Sequence, residues 1–290
     1  MRTACIDIGS NTTRLRGAEA DETGLRELLT QRVFTRLRGI EGPIPEAKVR
    51  EVAEVVASQV RMAREAGAED VRAVATAAIR SAPNRDELCA AVQATAGVTV
   101  SVLSGDDEAR LAFMGAVRML KHAPEGLVAV VDVGGGSSEI VCGTLADGVS
   151  WSASFRVGSG FLADNYIASD PPAPDELERI RAHVAGVFEG LDVPQPVAAY
   201  AVGGSATSLR RLIGAVLDHE TLGRALRVVC AEPAEDVARG FDLHLERVKV
   251  LPAGMLLLDA ASTVLGVPLQ IAGGGLREGV ILERCAYQTK

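Results

Sequence analysis

Two stretches of this chain read as weak copies of one another, and that duplication limits the possible folds more than any other feature. Thr3 to Thr12 runs as a short apolar strand into Asp7-Ile8-Gly9-Ser10-Asn11-Thr12. Leu127 to Ser138 runs as another into Asp132-Val133-Gly134-Gly135-Gly136-Ser137-Ser138. Each joins an acid to glycine and small hydroxyl residues, a further apolar stretch follows each, and the two acids stand 125 positions apart. A duplicated domain with paired hairpins produces this pattern.

Strand and helix signals alternate around these copies, as in an α/β protein. Apolar residues at helical spacing run from Lys48 to Ala66, and Gly67 ends them. Val71 to Ala75 reads as a strand, and Asn84 is placed to cap a helix through Ala94. Val98 to Leu103 is a strand, and Ser104 or Asp106 starts a helix through Leu120. The apolar run Leu127 to Val131 suits a buried central strand, and Ile140 to Gly143 with Val149 to Phe155 suggests a meander. Prolines at 171, 172 and 174 lead into a helix over Asp175 to Leu191. Beyond it come a strand at Val197 to Val202, helices at Ser208 to Val216 and Gly254 to Leu265, and a strand at Gln270 to Ala272. A last helix covers Gly279 to Ala286. The helix-breaking stretch near Lys121 to Gly126 divides the chain into residues 1–121 and 122–276.

Composition narrows the functional classes. The 290 residues are 48% hydrophobic and 23% charged, which suits a folded core and argues against disorder. Aromatics at 3% and a net charge of −8 argue against stacking on single strands and against generic binding to nucleic acid or an anionic membrane. A polyanion would need a local site. The five cysteines are scattered and lack C-x-x-C spacing, so a reducing, cytoplasmic setting is expected. The four histidines show no ligand spacing, no uninterrupted apolar run reaches 18 residues, and the N-terminus shows no signal-peptide apolar region.

Glycine and small hydroxyls at a strand end let backbone N–H groups approach a phosphate closely. A neighbouring acid repels phosphate, yet can hold a divalent cation that bridges to it. Taken singly, either Asp-x-Gly segment is a tight turn. Repetition favours a phosphate clamp, as do further glycine segments at Gly203-Gly204-Ser205-Ala206-Thr207 and Gly273-Gly274-Gly275. The first of these precedes a helix, whose N-terminus would favour an anion, although Gly-rich strand-to-helix packing explains it equally. No P-loop or nucleophile elbow is present, and Gly158-Ser159-Gly160 lacks the setting of a dinucleotide site.

These residues resemble the exopolyphosphatase and guanosine pentaphosphate phosphohydrolase (Ppx/GppA) family. Besides both hairpins, the resemblance is carried by Ala75 to Arg80, Leu103 to Leu111, Ala201 to Thr207, Leu251 to Gly254 and Gly274 to Gly279. It implies two ribonuclease H-like domains of the actin, Hsp70 and sugar kinase superfold around a central cleft, with the helix over 277–290 packing back on the first domain. It implies release of orthophosphate from inorganic polyphosphate, with Glu108 activating the attacking water and Asp132 assisting. Asp7, Gly9, Ser10, Asn11, Thr12, Arg80, Gly134, Gly135, Gly136, Ser137, Gly203, Gly204 and Ser205 would bind phosphate. Asp132, Asp7 and Glu139 would hold Mg²⁺, or Mn²⁺, and a homodimer is the expected assembly. A guanosine pentaphosphate phosphohydrolase and a non-catalytic sensor of guanosine tetraphosphate or polyphosphate remain alternatives.

The acidic run Asp106-Asp107-Glu108 also suits a plain helix start, and that reading is kept for Asp106 and Asp107. Arg80 and Arg110 suit structural ion pairs equally well. Departures from the family pattern are Arg16 at an ordinarily apolar position, Arg38-Gly39-Ile40 in place of Gly-Glu-Gly, Ala77 in place of a small hydroxyl, and Ala272-Gly273 in place of a more polar pair. The stretch from Val216 to Arg247 is also short. Without the C-terminal helical domain of long members, a channel for very long polyphosphate is not expected within one subunit.

Overall fold

The computed structural model describes residues 1–21, 24–40, 42–122 and 124–288. The chain divides into two compact units, Met1–Met119 with Gly274–Lys290, and Leu120–Gly273.

The first unit opens with a meander of β1 (Arg2–Ile8), β2 (Thr13–Asp21) and β3 (Gly24–Val33). The long helix α1 (Glu46–Glu65) leads to β4 (Asp70–Ala75), α2 (Ala77–Ser81), α3 (Arg85–Ala96), β5 (Val100–Val102) and α4 (Gly105–Arg118). The sheet order is β3-β2-β1-β4-β5, with β1 antiparallel to β2 and parallel to β4. β1 is central, so Ala4, Cys5, Ile6 and Ile8 are all fully buried. One stripe of α1, comprising Val49, Val52, Val56 and Val60, joins Ile6, Ile8 and Leu88 in this core. Asn84 stands at the N-cap position of α3 but does not cap it. Its amide instead staples the loop between β3 and α1: Oδ1 accepts from the Ile44 N–H at 2.8 Å and Nδ2 donates to the Ile44 carbonyl at 3.0 Å. Ser104 does cap α4, accepting from the Asp107 N–H at 3.0 Å.

The second unit repeats this plan. It contains β6 (Val128–Val133), β7 (Ser138–Thr144), β8 (Gly148–Phe155), α5 (Ser159–Tyr166), α6 (Pro174–Phe188) and β9 (Ala198–Val202). It continues through α7 (Gly203–Ile213), β10 (Val216–Leu217), α8 (His219–Val229), α9 (Ala234–Gly240), α10 (Leu245–Val248), α11 (Leu251–Leu265) and β11 (Leu269–Ile271). The order β8-β7-β6-β9-β11 has the same senses as β3-β2-β1-β4-β5, and β10 extends it. Both units are thus ribonuclease H-like, and the chain is mixed α/β with two sheets.

Two expectations need correction here. The helix expected to begin at Ser208 begins at Gly203, immediately at the end of β9, so Gly203 to Thr207 form its first turns rather than a loop. Its far end also stops short, because Val216 pairs with Gln270 in the sheet. The segment Leu245–Leu265 is long and apolar enough to cross a membrane by length and composition, although Glu246, Arg247, Lys249 and Asp259 interrupt its apolar run. In the structure 67% of its 18-residue apolar window is buried, and α11 lies at the heart of the second core.

The closing helix α12 (Leu276–Gln288) belongs to the first unit and packs along α4. A Cβ on Gly115 would lie 1.9 Å from the Gly275 carbonyl oxygen, and one on Gly279 1.9 Å from that of Leu111. One on Gly274 would lie 2.2 Å from the Gly115 oxygen. Gly274 and Gly275, just before α12, therefore pack their backbone directly against α4. Arg16 is explained here as well. Its Nε lies 2.7 Å from Oε1 of buried Glu278, while its Nη1 donates to Glu27 at 2.7 Å. An arginine in a half-buried strand position is tolerated because two carboxylates neutralise it.

Candidate functional site

The two hairpins share one hydrogen-bonded turn. The Gly9 N–H donates to the Thr12 carbonyl at 3.0 Å, and the Gly134 N–H to the Ser137 carbonyl at 3.0 Å. A Cβ at Gly9 would sit 3.2 Å from the Thr12 oxygen, and one at Gly134 3.0 Å from the Ser137 oxygen. The sequence repeat is therefore a repeat of turn geometry.

Each turn also hands its remaining carbonyls to its own scaffold. In the first unit Ser10 and Asn11 accept from the N–H groups of Arg38 (2.7 Å) and Arg36 (3.1 Å). In the second, Gly134 and Gly135 accept from Ser159 and Phe161 at the start of α5, both at 2.9 Å. Gly158 permits this approach, since a Cβ there would lie 2.6 Å from the Gly135 carbonyl carbon. Among the described residues, the N–H groups of Ser10, Asn11, Gly135 and Gly136 donate to no backbone carbonyl. Peptides anchored by their C=O and left with spare N–H groups are arranged to receive an anion.

Asp7 is the penultimate residue of β1, beside the first turn. Its Oδ1 is sealed from water with no hydrogen-bond partner, and so is Oδ1 of Asn11. Burial pushes the Asp7 carboxyl upward, and the guanidiniums of Arg277 and Arg14 offset this in part. The linkage has a definite sign. A carboxyl raised in the folded state favours folding below the usual carboxylate range, and that contribution is lost as pH rises through the raised value. In metal-free buffer, Asp7→Asn should therefore gain stability relative to the parent as pH rises from about 4 to 7. Denaturant melts at each pH check this; a stability difference, variant minus parent, that falls or stays constant with rising pH refutes it.

Asp132 occupies the matching position in the second unit and pairs in register with Glu139 on β7. Glu139 is buried, and its Oε1 accepts from the Ser154 hydroxyl at 3.0 Å. Gly203 has φ +84, and a Cβ there would lie 2.4 Å from Asp132 Oδ1. Glycine is required at that point to let α7 start against the carboxylate. Ser205 is fully buried on the side facing α11: a Cβ on Gly254 would lie 2.6 Å from its Oγ, which has no hydrogen-bond partner. Gly204 is likewise buried in the first turn of α7.

Glu108 lies in the first turn of α4 and is 8% exposed. Arg80, on α2, donates through Nη1 to Glu108 Oε2 at 2.9 Å and to the Leu103 carbonyl at 2.8 Å. The structure thus joins a predicted phosphate contact to the predicted base as an ion pair. Arg110 pairs with Glu283 of α12 at 2.7 Å, a structural role.

Among the described residues, no three His, Cys, Asp or Glu side chains group as a metal site. The donors at the hairpins are nevertheless hard oxygens, and the Asp7 and Asn11 oxygens are buried without partners. That suits Mg²⁺, which is ordinarily held by one or two carboxylates together with substrate phosphates and water. Elsewhere in the second unit, a cavity of about 690 Å³ is lined by Leu177, Leu222, Leu226, Met255 and Asp259 and includes none of the predicted site residues.

Comparison with known proteins agrees with these features. The model of the Ppx/GppA phosphatase family matches residues 25–288. An uncharacterized protein of Streptomyces coelicolor is 31% identical over 97% of this chain and 90% of its own length. Exopolyphosphatase 1 of Mycobacterium leprae is 28% identical over 98% of this chain and 89% of its own. Among solved structures, the Ppx/GppA family member of Aquifex aeolicus superposes with a TM-score of 0.85 at 28% identity, covering 100% of this chain and 99% of that one.

Proposed function

Because this chain belongs to the Ppx/GppA phosphatase family, we propose that it is an exopolyphosphatase that removes the terminal phosphoryl group of inorganic polyphosphate as orthophosphate. The observation that carries this reading is the matched pair of turns, Gly9–Thr12 and Gly134–Ser137, each with its carbonyls anchored and N–H groups spare. An enzyme of this class is a phosphoanhydride hydrolase, and its work is mainly positioning and charge neutralisation.

Glu108 takes a proton from the attacking water as oxygen bonds to the terminal phosphorus. The bridging P–O bond breaks, and its electron pair leaves with the shortened chain. Arg80 fixes the Glu108 carboxylate through Oε2, which holds the base in one orientation. The hairpin N–H groups stabilise charge on the non-bridging oxygens. Asp7, whose Oδ1 is buried without a partner, would help hold Mg²⁺ or Mn²⁺, which would neutralise phosphate charge, whereas the full set of Asp7, Asp132 and Glu139 does not group as a metal site among the described residues. The reading includes a cytoplasmic setting and a homodimer.

The test is orthophosphate release from tripolyphosphate, long-chain polyphosphate and guanosine pentaphosphate, each with Mg²⁺ and with chelator. Mg²⁺-dependent release from polyphosphate is the expected result. Release from guanosine pentaphosphate alone would replace the substrate assignment, and tight binding without release from any of them would overturn the hydrolase reading.

A further inference from the structure

The cavity of the second unit shares no residue with either hairpin and has the make-up of a binding site. Its volume of about 690 Å³ falls in the range of small-molecule pockets, and Leu177, Leu222, Leu226 and Met255 give it an apolar wall. Its lip is built in advance. Pro171, Pro172 and Pro174 line it, and the buried Glu176 carboxylate pins this stretch. That carboxylate accepts from the N–H groups of Ala168 at 2.8 Å, Ser169 at 3.1 Å and Ala173 at 2.9 Å. Proline rings and a pinned loop leave little freedom to lose when a ligand enters. Another wall, α8, keeps a glycine inside the helix, Gly223, where glycine is unfavourable. Its φ is not positive, and an added Cβ would meet only the far end of Arg227, at 3.8 Å. Neither backbone strain nor a close neighbour demands glycine there; what the missing side chain provides is room in the cavity.

Charge is the second observation. The same distance sets Arg227 Nη1 against Gly223, and among the described residues Arg227 has no ion-pair partner. Arg181 also lines the cavity, with only an exposed contact of 3.6 Å to Glu178. Burial pushes the thiol of neighbouring Cys230 up to about 11, offset in part by the Arg181 guanidinium, so that part of the wall is neutral at pH 7. The one carboxylate in the lining, Asp259, is engaged with His219 Nδ1 at 2.9 Å. An apolar cavity with two guanidiniums at its wall suits a molecule with an apolar body and one anionic end.

We propose that this cavity binds an amphiphilic carboxylate, with its aliphatic chain on the leucine wall and its carboxylate held by Arg227 and Arg181. The site is separate from the phosphoanhydride chemistry and stands whether or not the chain is a hydrolase.

The test titrates the full chain by calorimetry with hexanoate, octanoate and decanoate, and with octanol and octyltrimethylammonium, each below its aggregation limit. Affinity should rise about fourfold per methylene along the carboxylate series. Octanoate should bind about tenfold more tightly than octanol or octyltrimethylammonium. Arg227→Gln should lose about tenfold for octanoate and about twofold or less for octanol. Gly223→Leu should lose about tenfold or more for both, because the new side chain occupies the cavity, and leucine's better helix propensity keeps α8 folded. Undiminished octanoate binding in Gly223→Leu, octanol binding equal to octanoate, or no saturable binding of any probe would overturn the site. So would an octanoate affinity that weakens as protein concentration rises, since a second copy of the chain would then cover the cavity.

Discussion

Glu108→Gln should release orthophosphate about 10²–10⁴-fold more slowly than the parent, the range that a positioned carboxylate base supplies. Glutamine keeps the shape of the side chain and an oxygen to accept from Arg80, so the 2.9 Å contact between α2 and α4 can persist. What it loses is the capacity to take a proton. Unfolding of the variant should therefore stay close to that of the parent while turnover collapses. Asp107→Asn is the matched control, because Asp107 belongs to the same acidic run but is exposed and engaged with Ser104 in the helix cap. Its loss should cost about 0.3–1 kcal/mol of helix-end stability and little rate. If the two variants lose rate alike, Glu108 is one of three charges at a helix start, and the water is activated elsewhere.

That contrast also marks what the sequence could carry. Both Asp-x-Gly turns were readable because backbone geometry demands glycine at fixed places, and the 125-residue repeat reappears as identical strand senses in two sheets. The partners of Arg80 and Arg16 were not readable, since each lies far away in the chain: Glu108 for one, Glu278 for the other. Ser205 and Gly254 illustrate the same difficulty. A Gly-Gly-Ser segment after a strand suggests ligand contact, yet the serine hydroxyl is packed beneath a glycine on α11. The helices between Val216 and Arg247 were missed although α8 carries signals. Leu222, Ala225, Leu226 and Val229 recur at helical spacing behind the Asp218 cap, which accepts from the Thr221 N–H at 2.7 Å.

Gly279→Ala should be among the most damaging single-methyl changes to stability, and its physical cause is plain. The new Cβ would lie 1.9 Å from the Leu111 carbonyl oxygen and 2.6 Å from its carbon, both of them backbone atoms that no rotamer can clear. Relief requires α12 to move away from α4, along a seam already filled by Gly115 against Gly275. Overpacking commonly costs about 1–3 kcal/mol, and a backbone clash between two helices belongs at or above the top of that range. Gly186→Ala makes the opposite case. It also lies inside a helix, but nothing lies within 4 Å of a Cβ there, so alanine should raise stability by about 0.5–1 kcal/mol through helix propensity alone. Chemical denaturation of the two variants should thus shift in opposite directions, and a neutral Gly279→Ala would mean the seam has slack. The seam also bears on catalysis. Leu111 lies one turn beyond Glu108 on α4, so a displaced seam moves the base relative to the Arg80 that orients it. Gly279→Ala should consequently lose turnover at temperatures where it is still fully folded, whereas Gly186→Ala should not.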